Sequence, residues 1–290
     1  MILVADSGSS QSDWMLALPD GERLAFTTKG LNPFFVNEKD IAKVIQNAEE
    51  ITPYADRVSE VYFFGSGCTS PDRREMVSNA LSQLFRHAFI SVETDLVGAA
   101  YATCGSRKGY IATLGTGSDV SFFDGEEVLP TRQGIGYVLG DEGSGVWFGK
   151  QLVTKFLYDT MPADLAEAFR AKYRINKEIV IKNVYQRAFP NAYLASFAVF
   201  LSDHMEHPYV KELIKAGFKE FINTNIKLFP DYRDYVCHFV GSVAFYFIEQ
   251  LREVCEQHGV KIGKVLRRPI EELFHYIIQR EKNYEFSYSE

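Results

Sequence analysis

Apolar and polar positions along the chain follow two rhythms. Leu3-Val-Ala5 is a short apolar run broken by Asp6 and the cluster Ser7-Gly8-Ser9-Ser10, and apolar residues resume at Trp14-Met15. This pattern predicts strand, tight turn, strand, and Arg23-Leu-Ala-Phe-Thr-Thr28 predicts a third strand of the same meander. Helical spacing then begins at Asn37, with Ile41, Val44, Ile45 and Ala48 on one face. Ser59 to Phe64 is a β-rich run stopped by Gly65-Ser-Gly67. Pro71 opens a helix carrying Met76, Val77, Ala80, Leu81 and Leu84, and Phe89 to Val92 predicts another strand, followed by a loop Glu93-Thr-Asp95 and a small-residue helix from Leu96 to Cys104. Strand and helix in alternation, after an opening meander, predict an α/β fold whose sheet is mixed and covered by helices.

The grammar then restarts. Tyr110 to Arg132 repeats the three-strand meander, with turns at Gly115-Thr-Gly117 and Asp124-Gly125, so the chain resembles a divergent duplication. A helix is expected through Val146, Phe148, Leu152, Val153 and Phe156, and helical patterns dominate from Pro162 to Phe229. Val210, Leu213, Ile214, Gly217, Phe218, Phe221 and Ile222 form a stripe that is core packing and needs no ligand. Val236 to Val240 reads as a buried strand, Gly241-Ser242 as a turn and Val243 to Cys255 as one helix. Lys261 to Leu266 is the last expected strand, and Pro269 opens a terminal helix. A boundary falls near Cys104 to Lys108, and with no long linker there the two domains are expected to share a tight cleft.

Composition narrows the function. The 290 residues are 46% hydrophobic, ample for real cores, with a net charge of -7 and a pI near 5.5. An acidic balance with only small basic clusters (Arg73-Arg74, Lys264 to Arg268) argues against a nucleic-acid surface. Cys68, Cys104, Cys237 and Cys255 lie far apart, which fits a reducing compartment and neither a disulfide framework nor a structural zinc. The first apolar run is too short for a signal-peptide core and none approaches a membrane span, so a cytoplasmic protein is expected.

Several phosphate motifs fail. There is no G-x-x-x-x-G-K-[ST]; Gly65-Ser-Gly67 lacks the third glycine of a dinucleotide fingerprint, and after Gly134-x-Gly136 the next glycine, Gly140, comes one residue late. His-Glu-x-x-His, Gly-x-Ser-x-Gly and His/Cys metal spacings are also absent, and His238 reads as a satisfied core histidine. What remains is a set of strand-end loops: Asp6 to Ser10, Glu93 to Asp95, Leu114 to Ser118, Gly140-Asp-Glu-Gly-Ser144 and Val240 to Val243. Glycine allows positive φ and close approach of a ligand, while backbone N–H groups and hydroxyls offer donors to phosphate oxygens. Each turn alone could equally be an ordinary hairpin.

Taken together and in order, these loops resemble the ATPases of the actin, hexokinase and heat-shock-chaperone superfamily, and within it the BadF/BadG/BcrA/BcrD-type ATPases that include N-acetylglucosamine kinase. The resemblance covers essentially the whole chain. It implies two ribonuclease-H-like domains with mixed sheets flanked by helices and a nucleotide cleft between them, residues 1–105 and 106–269, with a C-terminal helix 270–290 packing back on the first. It also implies ATP as co-substrate and Mg2+ as cofactor. Residue by residue, Asp6, Ser7, Gly8, Ser9 and Ser10 match the first phosphate loop, with a hydrated magnesium at Asp6. Gly115, Thr116, Gly117 and Ser118 match the second, and Gly241, Ser242, Val243 and Ala244 the adenosine loop. Asp95 matches the carboxylate that contacts the acceptor hydroxyl and serves as base, a role that phosphoryl transfer requires; it also suits simple capping of the helix after it. Asn32, Thr116, Gly134, Gly136 and Asp141, with Asp95, match the sugar pocket, although Asn32 and Asp141 also suit a turn and a helix cap.

Three stretches depart from the family. Asp6-Ser-Gly-Ser-Ser10 replaces a more glycine-rich loop, Asp119 stands where asparagine is frequent, and Gln133-Gly-Ile-Gly136 replaces Gly-Gly-Trp-Gly, removing a platform for the sugar ring. The expected activity is ATP-dependent phosphorylation of a sugar hydroxyl, N-acetylglucosamine to its 6-phosphate. The expected partners are a small sugar and ATP, with no nucleic acid and no membrane, and a homodimer is compatible with the sequence. Two other readings stay open: an ATPase activator of an acyl-CoA dehydratase or reductase, with Cys68 or Cys104 as cluster ligands, and a sugar sensor without turnover.

Overall fold

Residues 1–129 and 134–287 are described by the computed structural model, in which the chain divides into two units. One comprises Met1–Arg107, Phe123–Val128 and the segment from Arg268 onward; the other comprises Lys108–Phe122 and Leu129–Arg267.

The first unit is built on a five-stranded sheet of β1 (Ile2–Ser7), β2 (Gln11–Ala17), β3 (Arg23–Lys29), β4 (Glu60–Gly65) and β5 (Phe89–Thr94) in the order β3-β2-β1-β4-β5. The meander β1-β2-β3 is antiparallel, while β1, β4 and β5 run parallel. Their register aligns Ser7 with Gly65 and Gly65 with Thr94, so three parallel strands end at one sheet edge. In open α/β sheets, the carboxyl ends of parallel strands are where ligands are held.

Alternation along the strands explains the two covered faces. Leu3, Ala5, Trp14, Leu16 and Phe63 point into a core with Ile41 and Ile45 of α1 (Glu38–Gln46) and Val77 and Leu81 of α2 (Pro71–Ser82). Asn37 caps α1, its side chain accepting from the Asp40 N–H in a reciprocal capping box. On the opposite face lie α3 (Asp95–Thr103) and the terminal helix Ile270–Ser287. Tyr101 of α3 packs edge-on against Phe64 at 6.0 Å and stacks on Tyr276 at 4.7 Å. Arg280 lies 5.2 Å from the Tyr62 ring centre and 5.7 Å from that of Tyr101. These contacts fix α3, and with it Asp95, relative to the sheet.

The second unit holds β6 (Gly109–Leu114), β7 (Ser118–Phe123), β8 (Val236–Val240) and β9 (Lys261–Leu266) in the order β7-β6-β8-β9, with β6, β8 and β9 parallel. Among the described residues, six α-helices separate β7 from β8 in sequence: α4 (Gly145–Leu157), α5 (Ala163–Tyr173), α6 (Lys177–Tyr185), α7 (Pro190–Ser196), α8 (Val199–Asp203) and α9 (Pro208–Thr224). Phe148, Phe169, Phe197, Phe200, Phe218 and Phe221 fill their core, and the stripe on α9 is buried as its spacing predicts. After β8 come α10 (Ser242–Tyr246) and α11 (Ile248–His258). His238 is buried, and its Nδ1 accepts from the Lys264 N–H at 3.0 Å.

The structure corrects three local expectations. No loop separates strand from helix at Glu93 to Asp95: β5 runs to Thr94 and Asp95 is the first residue of α3. The helix expected from Val243 to Cys255 breaks at Phe247, whose φ of -109° and ψ of 33° leave the helical region as its ring enters the core 6.2 Å from Phe148. The third strand expected at the end of the second meander is represented among the described residues only by a bridge between Phe123 and Val128, and Pro130 to Gln133 lie outside them, as do residues 288–290 of the expected terminal helix.

Candidate functional site

Asp6 and Asp13 are register partners across β1 and β2, and one-in-two alternation turns both side chains to the face that carries α3. Arg268, at the entry to the terminal helix, donates to Asp13 Oδ1 at 3.0 Å. Burial pushes the Asp6 carboxyl up to about 8; negative charge on Asp95 and Asp13 adds to the rise, and Arg268 opposes it. A carboxylate enclosed by two others is costly to ionise alone and is relieved by a cation.

Asp95 follows the aligned strand ends and opens α3. Its Oδ1 accepts from the Leu96 N–H at 3.0 Å, and the Ser66 hydroxyl also donates to the carboxylate. Burial still raises its pKa, outweighing these donors. The N-cap position belongs to Thr94, whose side chain makes no capping bond, and Asp95 sits inside the first turn, where its carboxylate satisfies the Leu96 N–H.

Ser66 leads into Gly67, which has φ +83° and fits flush against a neighbouring loop: a Cβ there would lie 2.1 Å from Asn32 Oδ1 and 2.9 Å from Phe34 Cδ2. Asn32 is buried, accepts from the Phe34 N–H at 2.9 Å and donates from Nδ2 to Ser9 Oγ at 2.8 Å. A chain of direct contacts thus joins Asp95, Ser66, Gly67, Asn32 and Ser9. In the turn itself, Ser7 faces inward, its hydroxyl shared with Ser12 at 2.7 Å and accepting from the Leu31 N–H at 3.2 Å. The Gly8 N–H closes the hairpin on the Gln11 carbonyl, and Ser10 is exposed.

In the second unit the turn Gly115-Thr116-Gly117 is clamped to the start of α4. The Gly145 N–H donates to the Gly115 carbonyl at 2.8 Å and the Val146 N–H to the Thr116 carbonyl at 3.0 Å. Ser144, fully buried, caps α4 by accepting from the Trp147 N–H. Asp141 occupies the left-handed region at φ 61° and accepts from the Ser118 N–H at 3.2 Å, while Ser118 Oγ donates to the Glu142 carbonyl. Burial raises the Asp141 carboxyl, opposed by the Ser118 N–H and Lys150. Gly241, with φ 128°, packs on the end of β6, where a Cβ would meet the Leu114 carbonyl oxygen at 2.3 Å.

A cavity of about 210 Å³ brings together Ser118, Gly134 and Asp141, with Ile135, Glu142 and Asn225 among its walls; Gly136 does not line it. Its lining includes two carboxylates and no lysine or arginine, which suits a neutral hydroxyl-bearing ligand better than a phosphate. Of the Gly241 to Ala244 segment, Ser242 is exposed, whereas Val243 and Ala244 are core residues beneath the loop.

Sequence reasoning passed over Asp13, Ser66, Gly67, Glu142, Asn225 and Arg268. Gly65-Ser-Gly67 was visible as a strand stop, but its contact with Asn32 has no local signal. Asn225 donates to Glu142 Oε2 at 3.2 Å across 83 positions and Arg268 to Asp13 across 255, separations that no short pattern encodes.

The fit to magnesium rests on the donor set. Asp6 gives one carboxylate in need of a positive neighbour, and no group of three or more metal-ligating His, Cys, Asp or Glu side chains occurs among the described residues. Magnesium bound through one or two carboxylates while keeping several waters needs no larger cage, so the residues fit it.

No family model matches the chain, and no curated protein matches it either. Among solved structures, a provisionally assigned N-acetylglucosamine kinase from Porphyromonas gingivalis is 38% identical, with a TM-score of 0.88 over 95% of this chain and 98% of that one. A protein with the same provisional assignment from Chromobacterium violaceum is 17% identical with a TM-score of 0.70, covering 95% of this chain and 98% of that one. A glucokinase from Streptomyces griseus, solved with glucose and AMPPNP, is 14% identical with a TM-score of 0.53 over 92% and 93% of the two chains. These last two show likeness of fold. Among the described residues, no helix is long and apolar enough to cross a membrane. The chain belongs to the N-acetylglucosamine kinase-like family, with the actin-like ATPase fold of the sugar kinases.

Proposed function

We propose that the protein is an ATP-dependent sugar kinase that converts N-acetylglucosamine to its 6-phosphate. The observation that carries this reading is Asp95: a carboxylate at the converging strand ends, raised in pKa by burial, hydrogen-bonded to Ser66 and linked through Gly67 to Asn32. A base whose pKa is raised by burial accepts a proton more readily. In the proposed step, Asp95 takes the proton of the sugar hydroxyl as the O–P bond to the γ-phosphorus forms; the bond from that phosphorus to the bridging oxygen breaks and ADP leaves with its electron pair.

Asn32 orients the acceptor beside Asp95, and the acid-lined cavity at Asp141 receives sugar hydroxyls. Backbone groups of Gly8 to Ser10 and of Gly115 to Ser118 hold phosphate oxygens, with the inward hydroxyl of Ser7 bracing the first turn from within. Gly241 and Ser242 meet the nucleoside through backbone and hydroxyl. Asp6 would hold a magnesium ion through water, and the ion, when bound, would supply charge neutralisation on the phosphates.

Cys68 and Cys104 are both buried, with burial pushing the Cys68 thiol up to about 12, which favours the kinase over an activator that shares a cluster through surface cysteines. The test is coupled ADP release with N-acetylglucosamine, ATP and magnesium, with phosphorus NMR of the product. Sugar-dependent ADP release with phosphate on O6 is expected. Nucleotide binding without sugar-dependent turnover would overturn the kinase assignment.

A further inference from the structure

The second phosphate turn already holds a carboxylate from its own chain. Asp141 Oδ1 accepts from the Ser118 N–H at 3.2 Å. The same carboxyl abuts Gly117, where a Cβ would stand 2.8 Å from Oδ2 and 3.1 Å from Oδ1. Together the two contacts place an acidic group over Gly117 and Ser118, on a donor that a phosphate oxygen would use. The Gly115 N–H closes the turn on the Gly117 carbonyl, a bond the turn needs for its shape. The Ser118 N–H, by contrast, is held by a side chain, which can swing away. Asp141 also lines the cavity of about 210 Å³, so its carboxyl stands between that cavity and the turn. Burial raises its pKa against the Ser118 N–H and Lys150, and Lys150 Nζ donates to the Tyr137 carbonyl at 2.8 Å. A buried carboxylate in that condition gains from further donors.

We infer that Asp141 is a placeholder for phosphate on the second turn: without acceptor its carboxylate occupies the Ser118 N–H, and acceptor hydroxyls entering the cavity draw it away and open the turn. The inference rests on the proposed phosphate role of Gly115 to Ser118 and the proposed acceptor role of the cavity. A phosphate and a carboxylate are both anionic acceptors, so Asp141 opposes nucleotide phosphate at Ser118 by charge as well as by occupancy. Sugar hydroxyls bring O–H donors to the same carboxylate and replace the one it gives up. Linkage makes the effect reciprocal, because whatever the acceptor adds to nucleotide affinity the nucleotide adds to acceptor affinity. Asp141 thereby joins two tasks in one side chain, binding the acceptor and keeping ATP out of the reacting position while no acceptor is present.

Titration calorimetry of the full chain with AMPPNP and magnesium reads the coupling without turnover. Saturating N-acetylglucosamine is expected to tighten AMPPNP binding to the parent about tenfold. Asp141→Ala removes both the charge and the competing acceptor, so without sugar it should bind AMPPNP about tenfold more tightly than the parent, and sugar should add little more. Asp141→Asn, neutral but still able to accept from the Ser118 N–H, should fall between the two. A residue that only binds sugar would leave the sugar-free AMPPNP affinity unchanged. That result in Asp141→Ala, with a melting temperature near the parent's, would overturn the inference. The backbone amide signal of Ser118 in the parent gives a readout that needs no variant. Sugar alone should shift its proton upfield, as loss of a hydrogen bond to a carboxylate does, and an unmoved signal would also overturn the inference. Sugar phosphorylation by the parent alongside either contrary result would remove this inference and leave the kinase reading standing. The tighter sugar-free binding of Asp141→Ala and the Ser118 shift, found without phosphorylation, would do the reverse.

Discussion

Asp6 and Asp13 face each other across the β1–β2 ladder, and only Asp13 has a counter-charge in hydrogen-bond contact, the Arg268 guanidinium at 3.0 Å. Like charges directly opposite in an antiparallel pair destabilise a sheet. Burial, together with the charges of Asp95 and Asp13, raises the Asp6 carboxyl to about 8, which favours its neutral form and eases that cost, and a cation delivered with the nucleotide would reverse the shift.

The first prediction is a pH dependence of stability without divalent cations. The Asp6 carboxyl moves from its ordinary value of 3.8 up to about 8 in the folded chain. Between these values the unfolded chain has released a proton that the folded chain keeps, so the Asp6 contribution makes stability fall as pH rises through that window. Thermal unfolding at pH 5, 6.5 and 8 should show a decline that Asp6→Asn flattens, with the variant outlasting the parent at pH 8. A parent and variant with the same slope would refute this.

The second concerns Arg268→Gln. Asp13 would lose its partner and Asp6 its one opposing positive charge, so the stability decline should extend above pH 8. Because the guanidinium is 44% exposed, solvent softens the loss to about 1 kcal/mol, or a melting temperature lower by about 2–4 °C. An unchanged melting temperature at pH 8 would count against the ion pair as a support for this sheet face.

The third concerns Gly67→Ala. Both its positive φ and the 2.1 Å approach to Asn32 Oδ1 exclude a methyl group without movement of the Asn32 turn. A stability loss of about 1–3 kcal/mol is expected, with a raised KM for the sugar and a nearly unchanged KM for ATP. Equal effects on both substrates would detach Gly67 from the acceptor side.

The parts legible in the sequence were those with local causes. Asp6 and Gly8 mark the first turn, Gly115 to Ser118 the second and Gly241 the third, because a chain reversal needs its special residues where it occurs. Asp95 was visible as an acidic residue where an apolar run gives way to a small-residue helix. Side-chain direction was not legible: the Ser7 hydroxyl faces Ser12, and Val243 and Ala244 serve the core of their own unit. Nor could local pattern show that Gly67 packs on Asn32 or that Arg268 returns to Asp13, since each depends on segments meeting through the tertiary fold.

The most direct test of the central claim is turnover by Asp95→Asn. Asparagine keeps the shape of the side chain and an acceptor for the Leu96 N–H, but it cannot take the hydroxyl proton. Sugar-dependent ADP release should fall by about 10²- to 10⁴-fold while AMPPNP affinity and melting temperature stay close to those of the parent. Turnover within a few-fold of the parent would contradict the assignment of Asp95 as the base.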